Sequence, residues 1–231
     1  MKPHGASPDP AEIQRRRIVA WRTGHGLVML AATGLALFLG RPVLVSGVAL
    51  LSFLALVKLG WVPREPGARF NYANLVTALR LLLGAALILT PAYLGPAYAA
   101  AQLVLLWALD VLDGILARSL GTTSVLGANL DKEGDAFITL NACLALMQLG
   151  LVGPWILIIG LIRYAYLLLL GLTRRVSKSP RAPLSNFTTG YTHVILGLGF
   201  VIHSRLHTAL LVIATVLVLI SYGRAVYHAF R

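Results

Sequence analysis

The sequence predicts an all-α fold, a polytopic transmembrane helical bundle, and three observations carry that prediction. Of the 231 residues, 58% are hydrophobic and only 12% are charged, about half the charged share of an ordinary soluble domain. Apolar runs of about 20 residues, the length a helix needs to cross a bilayer core, recur along the chain. Lys and Arg gather at the edges of those runs, as in Arg15-Arg16-Arg17, Arg64 with Arg69, and Arg174, Arg175, Lys178 and Arg181, which is the pattern of cytoplasmic loops. The formal net charge of +12 is thus placed for anionic headgroups or phosphate-bearing substrates, and nucleic acid is not expected as a partner.

Residues 1–23, with Pro3, Gly5, Pro8 and Pro10, read as a polar, mobile cytoplasmic tail. They show no short apolar core with a cleavage site, so no removable leader is expected. Apolar segments near 24–40 and 42–60, divided by Arg41-Pro42, read as a transmembrane hairpin over 24–62, with Lys58 snorkelling toward the surface. A hydrophilic break at Pro63–Arg69 separates this hairpin from a six-helix unit over 63–231. Its apolar segments lie near 73–92, 97–118, 131–150, 153–172, 187–203 and 207–226, with Pro91, Pro96, Gly150, Gly153 and Pro154 marking turns. Alternating the eight segments from a cytoplasmic start puts both termini inside, together with the basic loops at 61–72, 119–130 and 173–186. The single cysteine, Cys143, lies in an apolar run, which excludes a disulfide framework or a thiolate metal site. His193, His203 and His207 show no metal-ligand spacing.

Of eight acidic residues, five fall between positions 110 and 135. Four of them, Asp110, Asp113, Asp131 and Asp135, lie within or at the ends of apolar helices, where a carboxylate is costly. On a helix, Asp110, Asp113, Gly114, Ala117 and Arg118 fall within about 140° of one another and share a face. Gly127, Asp131 and Asp135 are spaced four apart and share a face of the next helix. The short connection can fold these faces together into one pocket near the cytoplasmic surface. Carboxylates that close repel unless a cation sits among them, and all-oxygen donors suit a hard divalent ion, Mg²⁺ or Mn²⁺. Two such ions can stabilise the attacking and leaving oxygens of a phosphoryl transfer. Small residues at 114 and 117 let a phosphate approach the backbone, and Arg118 offers it a charged fork.

The run Asp110-x2-Asp113-Gly114-x2-Ala117-Arg118-x8-Gly127-x3-Asp131-x3-Asp135 resembles, without a departure, the signature of the CDP-alcohol phosphotransferase family. The resemblance covers about residues 70–228, so the tail and hairpin lie outside it. It implies transfer of a phosphate-linked alcohol from a CDP-alcohol, such as CDP-diacylglycerol, to a second alcohol, with release of CMP. It further implies two divalent cations, Mg²⁺ or Mn²⁺, on Asp110, Asp113, Asp131 and Asp135, with Asp135 also the base for the acceptor hydroxyl. Gly114, Arg118 and Ser124 match donor-contacting positions, and Asn74-x2-Thr77, followed by Arg80, resembles a shorter element near the nucleotide. Arg80 reads equally as an interfacial anchor. A homodimer in the bacterial cytoplasmic membrane is the assembly and location that the resemblance implies.

The acceptor side is less marked. Arg163, inside an apolar helix, and Lys178 and Arg181 on the basic loop are candidates for a phosphorylated acceptor; topology signals and ion pairing explain them as well. Phosphatidylglycerophosphate synthases usually carry Pro after the third Asp and Lys after the fourth, where this chain has Lys132 and Ala136. Two other uses of membrane carboxylates fit less well. Intramembrane prenyltransferases keep their Asp-rich motifs in separate halves of a longer bundle, and a cation transporter would spread its acids across helices at mid-membrane. The hairpin, which carries no acidic residue in an apolar segment, is expected to serve insertion, stability or dimer packing and to take no part in chemistry.

Overall fold

The computed structural model describes residues 10–60, 72–119, 121, 124–175 and 183–231. Among them the chain is helical throughout, with no strand: α1 (Pro10–Phe38), α2 (Val43–Gly60), α3 (Tyr72–Ala86), a four-residue α4 (Thr90–Tyr93), α5 (Pro96–Ser119), α6 (Val125–Gln148), α7 (Leu157–Leu172, led by a 3₁₀ turn at Pro154–Ile156), α8 (Pro183–Gly199) and α9 (Arg205–Phe230). Four of these, Val43–Gly60, Pro96–Ser119, Pro154–Leu172 and Arg205–Phe230, are long and apolar enough to cross a membrane.

Turn chemistry sets the breaks. Gly40 takes the left-handed φ of +63° that ends α1, and Pro42 prevents its continuation. Gly150 does the same after α6, with φ of +67°. Ser124 and Ser204 cap α6 and α9, each accepting from a backbone N–H three residues on, at 2.9 and 3.1 Å. The expected segment at 73–92 is interrupted because α3 stops at Ala86 and the chain turns through α4 before Pro96 restarts it.

The largest difference from expectation lies at the N-terminus. Residues 10–23 are helical, and α1 runs unbroken from Pro10 into the apolar segment. Pro at the first helical position and Glu12 in the first turn favour a start there. Gln14, Ile18, Trp21 and His25 form a buried stripe at helical spacing. Gln14 Nε2 donates to Gly60 O at 2.8 Å, Trp21 Nε1 donates to Ser52 O at 2.9 Å, and His25 Nδ1 meets Ser52 Oγ at 2.8 Å, all on α2. The interleaved Arg15, Arg16, Arg17 and Arg22 hide this stripe in a reading of charge alone.

Helix α6 is central, packed against α2, α3, α7 and α8. Enclosure by these neighbours allows it to carry four charged residues in its first three turns. Asn141, fully buried on α6, donates through Nδ2 to Gly84 O on α3 at 2.8 Å and to Ser46 Oγ on α2 at 3.1 Å. The hairpin is equally bound in. Where α1 crosses α7, a Cβ added at Gly26 would lie 2.7 Å from Tyr164 O and 3.1 Å from Leu168 N. Such small-residue crossings drive helix association where lipid removes the hydrophobic advantage of contact. The start of α1 and the end of α2 meet at Gln14 and Gly60, and Arg22 of α1 reaches Asn129 near the start of α6. Arg175, just past α7, lies over Phe230 at the end of α9. The helix ends at this one face of the bundle bear Arg15, Arg16, Arg17, Arg118, Arg174, Arg175 and Arg231, whereas Arg41 and Arg205 lie at the other face.

The crossing gives a paired expectation. Gly26→Val forces two backbones apart and is expected to destabilise by about 1–3 kcal/mol, as overpacking does. Gly34→Val, on the same helix with nothing within 4 Å of an added Cβ, is expected to leave stability nearly unchanged. Thermal unfolding of both variants in detergent checks the pair; equal midpoints would show that the α1–α7 crossing carries no packing constraint.

Candidate active site

The site forms where the last turns of α5 meet the first turns of α6, with α3 lying across both. Spacing alone places Asp110 and Asp113 on one face of α5 and Asp131 and Asp135 on one face of α6. The fold turns these faces together: one carboxylate oxygen each from Asp110, Asp131 and Asp135 lie within 4.8 Å of one another. Asp113 is beside them, its Oδ2 accepting a hydrogen bond from Thr77 Oγ1 of α3. The four expected carboxylates therefore do converge.

Arg80, also on α3, is the feature that the sequence left open. Its side chain is 2% exposed and it meets all four carboxylates. Nη1 lies 2.6 Å from Asp110 Oδ1, 3.0 Å from Asp131 Oδ1 and 4.0 Å from Asp113 Oδ2, and Nη2 donates to Asp135 Oδ1. The guanidinium offsets the like-charge repulsion among the carboxylates. Asp131 keeps 47% of its side chain exposed, so the cluster opens outward while Arg80 closes it from within. Oxygen-only donors at this separation fit a hard divalent cation. The signal that marks Arg80 is its spacing with Thr77: three residues apart on one face of α3, both reach the acidic cluster.

The remaining expected residues divide. Gly114 lies on α5 under its own Arg118, whose Nη1 would be 3.2 Å from a Cβ placed at 114. Ser124 Oγ is occupied as the α6 cap, accepting from Gly127 N, and a Cβ at Gly127 would come within 3.2 Å of that oxygen. Asn74 falls within α3, but its side chain lies outside the described residues, as do Lys178 and Arg181. Arg163 is not brought to the carboxylate pocket. It grips Glu133, which is fully buried, through Nη2 and through Nε at 3.1 Å. Glu133, two residues from both Asp131 and Asp135, projects from the opposite side of α6. His193 of α8, read as structural, contacts Thr139 Oγ1 at 3.0 Å, one turn beyond Asp135.

Comparison with known proteins agrees with this geometry. The family model for CDP-alcohol phosphatidyltransferase matches residues 70–230, which takes in every carboxylate of the site and leaves out α1 and α2. Proteins named "Probable phosphatidylglycerophosphate synthase" from two strains of Mycobacterium tuberculosis, CDC 1551 / Oshkosh and H37Rv, are each 33% identical over 100 residues, covering 40% of this chain and 47% of the relative. The chain thus spans about half the length of the curated relatives it matches. On the match over residues 70–230, the chain belongs to the CDP-alcohol phosphatidyltransferase family.

Proposed function

We propose that this membrane transferase moves a phosphatidyl group from CDP-diacylglycerol to a small alcohol, releasing CMP, at a site facing the cytoplasm. The observation that carries this reading is the meeting of Asp110, Asp131 and Asp135 oxygens within 4.8 Å, with Asp113 held beside them by Thr77. The cytoplasmic orientation rests on the arginine-rich face shared by the site, and the bacterial inner membrane rests on the similarity to proteins of Mycobacterium tuberculosis. The relatives' printed name favours a glycerol phosphate acceptor, whereas Lys132 and Ala136 depart from the residues usual in such enzymes.

In this mechanism Asp110, Asp113, Asp131 and Asp135 would hold two divalent cations, Mg²⁺ or Mn²⁺. Bound there, the ions would neutralise the donor pyrophosphate and stabilise charge on the oxygens of the reacting phosphorus. Arg118, with Gly114 clearing its path, grips donor phosphate oxygens, and Asn74, Thr77 and Ser124 complete the donor side. The acceptor oxygen forms a bond to the phosphorus that carries the lipid alcohol. The bond from that phosphorus to the CMP oxygen breaks, and its electron pair leaves with CMP. Asp135 takes the acceptor proton. Lys178 and Arg181 are the proposed contacts for a phosphorylated acceptor; Arg163 is left out because Glu133 holds it.

Purified protein in detergent or nanodiscs, given radiolabelled CDP-diacylglycerol and a panel of alcohols including glycerol phosphate, is expected to release CMP with one of them. Turnover is expected to vanish in EDTA and to return with Mg²⁺ or Mn²⁺; full turnover in chelator would sink the metal reading. Asp135→Asn is expected to keep most CDP-alcohol affinity while slowing single turnover by about 10²–10⁴-fold, the usual contribution of a general base. Arg118→Ala should lose donor affinity first. Normal turnover by Asp135→Asn would remove Asp135 from the role of base.

A further inference from the structure

Helix α6 carries two polar pairs in register, and each is held by arginine from a different direction. Asp131 and Asp135 face α3, where Arg80 bridges them. Asn129 and Glu133, also four residues apart, lie on a second face about 160° around the helix from the first. There Arg22 of α1 donates through Nη2 to Asn129 Oδ1, and Arg163 of α7 holds Glu133 through two guanidinium nitrogens. Glu133 is fully buried, and Arg163 keeps only 18% of its side chain exposed. Arg163 also reaches Tyr222 on α9, and Arg22 lies within electrostatic reach of Glu133. One grip comes from the N-terminal hairpin, which lies outside the matched family region of 70–230.

The geometry points to Glu133, Arg163 and Arg22 as positioning residues, a polar clamp behind α6 that sets the rotation at which Asp131 and Asp135 face Asp110. A two-nitrogen guanidinium–carboxylate contact fixes orientation as well as distance, and a buried one must keep its geometry because neither charge has water to turn to. A rotation of α6 about its axis would carry Asp131 and Asp135 along an arc away from Asp110. Apolar packing alone resists such rotation weakly in lipid, where helices gain little from hiding hydrocarbon. The clamp works from the far side of α6 and touches neither donor nor acceptor. The inference rests on the carboxylates binding divalent cations, and it gives the hairpin a part in shaping the site that the sequence did not suggest.

The sign of one measurement separates positioning from electrostatics. Removing a cation near an acidic site strengthens cation binding if charge alone matters. Removing a clamp weakens it. Mn²⁺ affinity of the full chain in nanodiscs, read by electron paramagnetic resonance, is therefore compared for wild type, Arg163→Gln, Arg22→Gln and Arg163→Lys, with helix content measured alongside. Arg163→Gln is expected to bind Mn²⁺ about tenfold more weakly, the lower end for loss of an outer-shell partner. Arg22→Gln should move the same way, and Arg163→Lys, which keeps the ion pair, should recover most of the affinity. Folded Arg163→Gln and Arg22→Gln that bind Mn²⁺ as tightly as wild type, or more tightly, overturn the clamp. If Arg163→Gln does not fold, the partly exposed Arg22 decides by the same criterion. Wild-type protein that binds no Mn²⁺ overturns the metal reading itself, and the clamp with it; binding by wild type with unaffected variants overturns the clamp alone.

Discussion

Four carboxylates share one guanidinium at the end of this bundle, and the surrounding architecture follows from keeping them together. Asp110, Asp113, Asp131 and Asp135 come from two helices whose like charges push apart, and Arg80 enters from a third to draw them in. A cation with several acceptors at hydrogen-bonding range suits a planar, multi-donor group better than a point charge. Because Arg80 is itself buried, α3 cannot slide without leaving an unpaired charge. The close fit of α3 on α6 serves this end: a Cβ at Gly134 would lie 3.2 Å from Leu81, and one at Gly84 would lie 2.7 Å from Ile138.

Much of the site was legible in the sequence because periodicity is a strong constraint on short helical motifs. Asp110 with Asp113, and Asp131 with Asp135, needed only the helical repeat to be placed on common faces. What linear spacing could not supply was the third helix. Arg80 lies thirty residues before Asp110, and nothing local distinguishes a guanidinium that snorkels to the surface from one that turns inward. The same ambiguity hid the pairing of Arg163 with Glu133. An intramembrane arginine signals a polar partner, yet the partner here lies on the far side of the helix that bears the catalytic candidates. Ser124 shows another limit: the resemblance gives it as a donor contact, and only the fold reveals that its Oγ accepts from Gly127 N as the cap of α6.

The N-terminal segment departs from the expected polar tail for a physical reason. Charge-rich stretches are normally solvated tails, and residues 10–23 hold Arg15, Arg16, Arg17 and Arg22. In the fold those arginines occupy the outward side and one inner contact of a helix whose other side is a stripe of Gln14, Ile18, Trp21 and His25. Hydropathy averages over both sides and loses the stripe. Polar side chains in that stripe bind backbone and hydroxyl groups of α2, which is how neighbouring helices recognise one another when lipid is as apolar as they are.

The Gly26 crossing carries a consequence for the order of assembly. Tyr164 and Leu168, whose backbone atoms define the contact, are made long after α1 has left the ribosome. Until α7 arrives, α1 is held by α2, through Ser52 and Gly60, and at one point by α6, through Arg22 and Asn129. The groove that Gly26 opens in α1 therefore gains its partner only when most of the chain has been made. Closure of that groove is a late event in the life of the protein, and the wall behind the carboxylates is complete only once it has happened.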